Sequence, residues 1–153
     1  MIRINNLHEM DTFAAKLVST LVTGDLILLN GDLGAGKTTL AQFIGKHLGV
    51  KRHINSPTFN IIKSYQGSKL KMHHMDCYRL EGMEEDLGFD EYFDDDGISI
   101  VEWSQFIQDL LPEEHLMIDI HIINEQEREL SLNAQGKHYE AIKEAIENEY
   151  FID

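Results

Sequence analysis

One cysteine, Cys77, and two prolines, Pro57 and Pro112, are all that the 153 residues hold of either type. A lone cysteine closes no internal disulfide, which suits a reducing, cytoplasmic setting. No neighbouring group marks Cys77 as a nucleophile, so it reads as a small semi-buried residue. With so little proline and no Gly/Ser-rich tract there is no linker to separate units, and 1–153 is expected to be a single domain. No apolar run approaches the roughly 18 residues of a membrane span. The opening "MIRINNLHEMDTF" lacks the basic start and apolar stretch of a signal peptide. Positive charge is scarce as well: 13 Lys and Arg stand against 27 Asp and Glu, a formal net charge of -14. Proteins that grip nucleic acid by its phosphates carry a basic stripe. Autonomous binding to a duplex or a tRNA is therefore excluded, although a partner could supply a basic surface.

What is present is ordinary for a globular chain, 42% hydrophobic and 26% charged. Residues 7–21 place Leu7, Met10, Phe13, Ala14, Leu17 and Leu21 on one helical face, with Asn5 or Asn6 as N-cap. "LILLN" (26–30) has the length of a buried strand, and 38–49 is an amphipathic helix closing on Gly49. "TFNIIKSYQ" and "KLKMHHMDCY" flank Gly67–Ser68 as a hairpin. A short helix and loop with nine acids cover 81–97, and such a run is read as a solvated face. "ISIVEW" (98–103) is a strand, 104–112 a brief helix, and "HLMIDIHII" with "RELSLNA" a second hairpin. Residues 137–151 form a last amphipathic helix. The order predicts an α/β, P-loop NTPase-like three-layer domain, and the hairpins require a mixed central sheet.

Between "LILLN" and its helix lies "LNGDLGAGKTTL", in which Gly31, Gly36, Lys37 and Thr38 satisfy G-x-x-x-x-G-K-[ST]. Glycines let such a loop turn its amides toward phosphate oxygens, and the following helix offers its positive end to the same anion. Lys37 would bridge the β- and γ-phosphates, and the Thr38 hydroxyl would be a ligand of Mg²⁺. A chance match arises in roughly one chain of this size in a few hundred, and here it also falls between a strand and a helix.

Mg²⁺ in such sites also takes an acid from the end of a neighbouring strand. Glu102 ends "ISIVE" and Asp76 ends "KLKMHHMD"; each is either a metal-site carboxylate or a strand-end acid that reaches solvent or caps a helix. Thr58, in "NSPTF", reads equally as a switch residue that meets the γ-phosphate or as part of a turn opening a strand. His73 and His74 face opposite sides of a strand and cannot chelate one metal together. Arg128, the one Lys or Arg between Arg79 and Lys137, reads from composition as the partner of a neighbouring acid.

Several stretches coincide in order and interval with one family. "GDLGAGKTTL", "NSPTFNIIKSY", "HHMDCYRL", "DLGFDEYF" and "IVEW" resemble the TsaE family of bacterial P-loop ATPases, over about residues 24–140. The resemblance implies that ATP is held by Leu33, Gly34, Ala35, Gly36, Lys37 and Thr38, with Gly31 and Thr39 flanking them. It implies that Thr38 and Glu102 hold Mg²⁺, that Asp76 is needed for activity, that Thr58 switches and that Arg128 contacts the nucleotide. Lys37, Asp76 and Glu102 are then the catalytic set, Asp76 positioning water directly or through the metal shell. Base contacts near residues 7–12 stay open, Thr12 among them. The family acts with the TsaB–TsaD complex in making threonylcarbamoyladenosine in tRNA, so ATP hydrolysis would reset a partner.

Two alternatives use the same loop. A small-molecule kinase would need a basic clamp for its acceptor, and the chain has only four arginines. A nucleotide-dependent switch without efficient hydrolysis is the other. A guanine-specific version would need N-K-x-D, which is absent.

Overall fold

Asn6 ends the extended start of the chain: its backbone is extended and its side chain accepts the Glu9 N–H at 2.9 Å, capping the first helix. In the computed structural model, which describes residues 1–55, 61–81 and 88–150, the elements follow the expected order. They are β1 (Ile2–Ile4), α1 (Leu7–Val18), β2 (Leu26–Asn30), α2 (Lys37–His47), β3 (Ile62–Tyr65) and β4 (Met72–Asp76), then α3 (Phe89–Phe93), β5 (Ile98–Glu102), β6 (His115–Ile122), β7 (Arg128–Gln135) and α4 (Lys137–Tyr150). Short 3-10 turns at Tyr78–Leu80 and Ser104–Leu110 complete the list.

Among the described residues seven strands form one sheet in the order β1-β7-β6-β2-β5-β4-β3. The four central strands, β6, β2, β5 and β4, are parallel, and both edges are antiparallel. The fold is α/β with a mixed sheet, as the hairpins require. Strands β4 and β5 are buried at every position, and on β5 this accounts for the mostly apolar run that precedes Glu102. On β6 burial alternates, because Leu116, Ile118 and Ile120 meet the helices while Met117, Asp119 and His121 face a thinly covered side.

Two apolar clusters sandwich the sheet. Helices α1, α2 and α4 cover one face through Phe13, Leu17, Leu40, Ile44, Ile142 and Ile146. On the other, Phe89, Phe93, Leu80 and Ile107 pack on Leu28, Met75 and Val101. This is the three-layer arrangement, and it leaves the carboxyl ends of β2, β4 and β5 side by side.

Two expectations change in detail. The first helix stops at Val18 because Ser19 and Thr20 turn their hydroxyls back onto the carbonyls of Lys16 and Leu17, both at 2.6 Å. Residues 104–110 are 3-10 turns broken at Ile107.

His73 ties the antiparallel edge to the loop after α3. One ring nitrogen lies 2.7 Å from Ser64 Oγ and the other 2.7 Å from Asp95 Oδ2, while Lys71 Nζ reaches Asp95 at 3.2 Å. The Asp96 backbone N–H, then His73 and Lys71, hold the Asp95 carboxyl well below the usual carboxylate range. A carboxyl with a depressed folded pKa stabilises the fold above its ordinary value of about 4, and that contribution is lost as pH falls through the folded value. Asp95→Asn is therefore expected to lower the urea midpoint at about pH 7, with the gap to the parent narrowing at about pH 3. A gap that stays constant across those two conditions would show that the charge of Asp95 is not what the fold feels.

Candidate nucleotide site

The glycine loop joins β2 to α2 at the carboxyl edge of the sheet, the usual place for ligands in open α/β folds. Two of its glycines are required by geometry. A Cβ on Gly31 would lie 2.8 Å from the Ile120 carbonyl oxygen, and Gly36 has a φ of +107° where it opens α2. Helix α2 starts at Lys37 with no side-chain cap, so its first amides have no partner from its own cap residue.

Lys37 is nearly buried, at 6% exposure. Its ammonium donates to the carbonyl oxygens of Gly31 at 2.6 Å and Asp32 at 3.1 Å, and sits 4.3 Å from the centroid of the Trp103 ring. Burial pushes the Lys37 pKa down, against the pull of Glu102, Asp76 and Asp32. Trp103 reaches this position with a left-handed backbone (φ 58°, ψ 42°), a conformation costing a side-chain-bearing residue about 1–2 kcal/mol.

Thr38 Oγ donates to both oxygens of Glu102, at 3.1 and 3.0 Å, joining the start of α2 to the end of β5. Parallel pairing sets Asp76 of β4 beside Glu102 in the register. Asp76 is 7% exposed and its Oδ1 accepts the Tyr78 N–H at 3.1 Å. On the inner side of Glu102, His74 Nε2 lies 2.6 Å from Oε2. Next door, burial and then the charge of Asp76 push the Cys77 thiol up to about 12, so it is no nucleophile near neutral pH.

Two cavities open on the loop and share Gly34, Gly36 and Thr39 in their walls. One, about 390 Å³, is lined by Leu33, Lys37, Thr38, Asp76, Tyr78, Glu102 and Trp103. The other, about 570 Å³, lies between the loop, the start of α1 and the β6–β7 turn, with Ile4, Asn6, Leu7, His8, Met10, Gln126 and Arg128 in its wall. Both have the size of small-molecule sites.

The structure thus brings together Gly31, Gly34, Ala35, Gly36, Lys37, Thr38, Thr39, Asp76 and Glu102, with Leu33 at the loop tip, 86% exposed. Arg128 comes to the same place from the far hairpin. Its Nε donates to Ala35 O at 2.9 Å and its Nη1 to Asn124 O at 2.6 Å, bracing the loop from behind. Thr58 lies outside the described residues. Thr12 donates to His8 O within α1 and is not in the wall of either cavity. The cavity wall near the N-terminus instead uses residues 4–10, and His74, weighed from sequence only as half of a metal pair with His73, has a different place here. Its signal was the two-residue spacing to Asp76, which puts both side chains on one face of β4.

The donor set suits a hard divalent cation: a hydroxyl and a carboxylate in contact, with a second carboxylate on the adjacent strand.

Comparison with known proteins points to one family. The sequence model of the family described as "Threonylcarbamoyl adenosine biosynthesis protein TsaE" matches residues 4–130. The tRNA threonylcarbamoyladenosine biosynthesis protein TsaE of Bacillus subtilis is 43% identical over 144 residues, covering 94% of this chain and 91% of its own. The protein of that name from Rickettsia felis is 38% identical over 135 residues, covering 86% and 78%. The crystal structure of Bacillus subtilis YdiB superposes with a TM-score of 0.83 at 36% identity, covering 97% of both chains.

Proposed function

Since the chain belongs to the TsaE family of threonylcarbamoyladenosine biosynthesis, we propose that it is a Mg²⁺-dependent ATPase that serves the TsaB–TsaD complex in modifying tRNA. The observation that carries this reading is the contact of Thr38 with Glu102 beneath a glycine loop that walls two adjoining cavities.

In this reading the smaller cavity takes the phosphates. Lys37 gives up its carbonyl partners on the loop and turns to the β- and γ-phosphates, where a buried ammonium is worth far more than an exposed one. The loop amides and the start of α2 hold the same oxygens. Thr38 and Glu102 would hold Mg²⁺, which supplies neutralisation of charge on the phosphate oxygens. Among the described residues no three His, Cys, Asp or Glu side chains are placed to hold a metal by themselves. The protein share of the shell is then small, as is usual for Mg²⁺ bound with phosphates and water. Asp76, beside Glu102, positions the attacking water, directly or through the metal shell. The larger cavity, with Ile4, Leu7 and Met10 as apolar wall and Asn6, His8 and Gln126 as polar rim, takes the base and ribose. Arg128 fixes the loop between the two and lines the base side.

The acidic surface supports a partner-dependent role. A chain of net charge -14 is repelled by tRNA and leaves that contact to the proteins it serves. The test is an ATPase assay with and without TsaB–TsaD, paired with tRNA modification followed beyond one turnover. ATP hydrolysis that rises with the complex, and modification that continues past one turnover only with this chain and ATP, are expected. ADP formed only when a small acceptor is supplied would make it a kinase, and GTP bound in preference to ATP would overturn the base assignment.

A further inference from the structure

We infer that His74 is a positioning residue that holds the Glu102 carboxylate in its metal-binding orientation; this rests on the ATPase reading above. His74 is fully buried on β4 and Glu102 is 2% exposed on β5. The only hydrogen bond His74's ring makes among the described residues runs from Nε2 to Glu102 Oε2, at 2.6 Å, while its Nδ1 has no partner there. Burying an unpaired ring nitrogen is costly, and an apolar side chain would fill the same space without that cost. Packing therefore gives no reason for a histidine here; the bond to Glu102 does. The contrast with His73 is direct, since both of that ring's nitrogens are partnered, by Ser64 and Asp95 on the opposite face.

Among the described residues Glu102 Oε2 receives two donors, Thr38 Oγ at 3.0 Å and His74 Nε2 at 2.6 Å. The two differ in what a cation does to them. A cation held by Thr38 and Glu102 would draw on lone pairs of the hydroxyl and of the carboxylate, so the Thr38 contact would lie on the metal side of Glu102 and its geometry would depend on the cation. The bond from His74 comes from the protein interior and would not depend on the cation. It is then the contact that would keep the carboxylate from rotating, leaving its remaining lone pairs free for a metal. Because β4 carries His74 and Asp76 on one face, the same strand orients one carboxylate and supplies the other.

The test compares His74→Gln with His74→Asn. A Gln amide reaches about as far as Nε2, whereas an Asn amide ends near Nδ1 and falls short of Glu102. Two readouts are taken on each: the Mg²⁺ concentration for half-maximal ATP turnover, and ATP affinity without divalent metal, which reports an intact loop. His74→Asn is expected to raise the Mg²⁺ requirement by about 10- to 100-fold with metal-free ATP affinity unchanged, and His74→Gln to stay within a few-fold of the parent. Equal Mg²⁺ requirements in parent, Gln and Asn proteins would overturn the inference alone. Equal losses in both variants, matched by lost metal-free binding, would overturn it in favour of a packing role. A parent protein whose turnover ignores Mg²⁺ would overturn the ATPase reading and this inference together.

Discussion

Lys37→Ala is expected to abolish ATP binding, with affinity falling at least about 100-fold, while the protein stays folded. The size follows from what the ammonium would do for phosphate. Hydrogen bonds to a charged group are worth about 1.5–3 kcal/mol each, so losing two costs about 3–6 kcal/mol, or two to four orders of magnitude. The folding half of the expectation comes from the ligand-free contacts. Among the described residues Lys37 satisfies the Gly31 and Asp32 carbonyls and lies against Trp103, and burial already lowers its pKa. A base whose folded pKa is depressed is held there at a cost to the fold in its charged form. Its removal relieves that cost, and the thermal midpoint should be unchanged or slightly raised. Isothermal titration with ATP and a melting curve on the same sample separate the two effects. ATP affinity equal to the parent's would sink the phosphate-loop reading, whereas a collapsed melting curve would show Lys37 to be structural.

The arrangement of the site was partly legible in the sequence for a physical reason. The loop is contiguous, and its chemistry depends on glycines at fixed offsets, so "GDLGAGKTT" announces itself before any fold is known. Glu102 was legible as an acid closing an apolar run, where a charge is expensive unless it is used, and Asp76 as an acid at the tail of a strand. Their adjacency was not, because it depends on β4 pairing in parallel with β5 in the register Asp76↔Glu102, a long-range fact. His74 stayed hidden on the same account: its meaning lies in a contact 28 residues away along the chain. Arg128 shows the opposite case. Composition made it an ion-pair partner and the resemblance made it a nucleotide contact. The structure has it bonded to backbone carbonyls at Ala35 and Asn124, which no pattern of side chains announces. Boundaries slipped where side chains compete with the backbone, as at Ser19 and Thr20.

Glu102→Gln is expected to keep ATP binding and lose Mg²⁺-dependent turnover by at least about 100-fold, the scale on which removing one charge-stabilising group acts. Glutamine is the informative replacement, because alanine would take the Glu102 acceptor from two donors, the half-buried Thr38 Oγ and the buried His74 Nε2. A Gln side chain keeps the volume and one carbonyl oxygen for them while removing the negative charge that a hard cation requires. Binding survives because Lys37, the loop amides and the larger cavity are untouched. Turnover fails because Thr38 alone is a weak protein ligand for Mg²⁺, and Asp76, fixed to the Tyr78 amide, stays on its own strand. Glu102→Ala should lose turnover as well, and stability with it, so the two variants together separate the charge from the packing. Turnover in Glu102→Gln equal to the parent's across a Mg²⁺ titration would remove Glu102 from the metal site. That result would leave Asp76 as the carboxylate to test next, since it is the other acid lining the phosphate-side cavity.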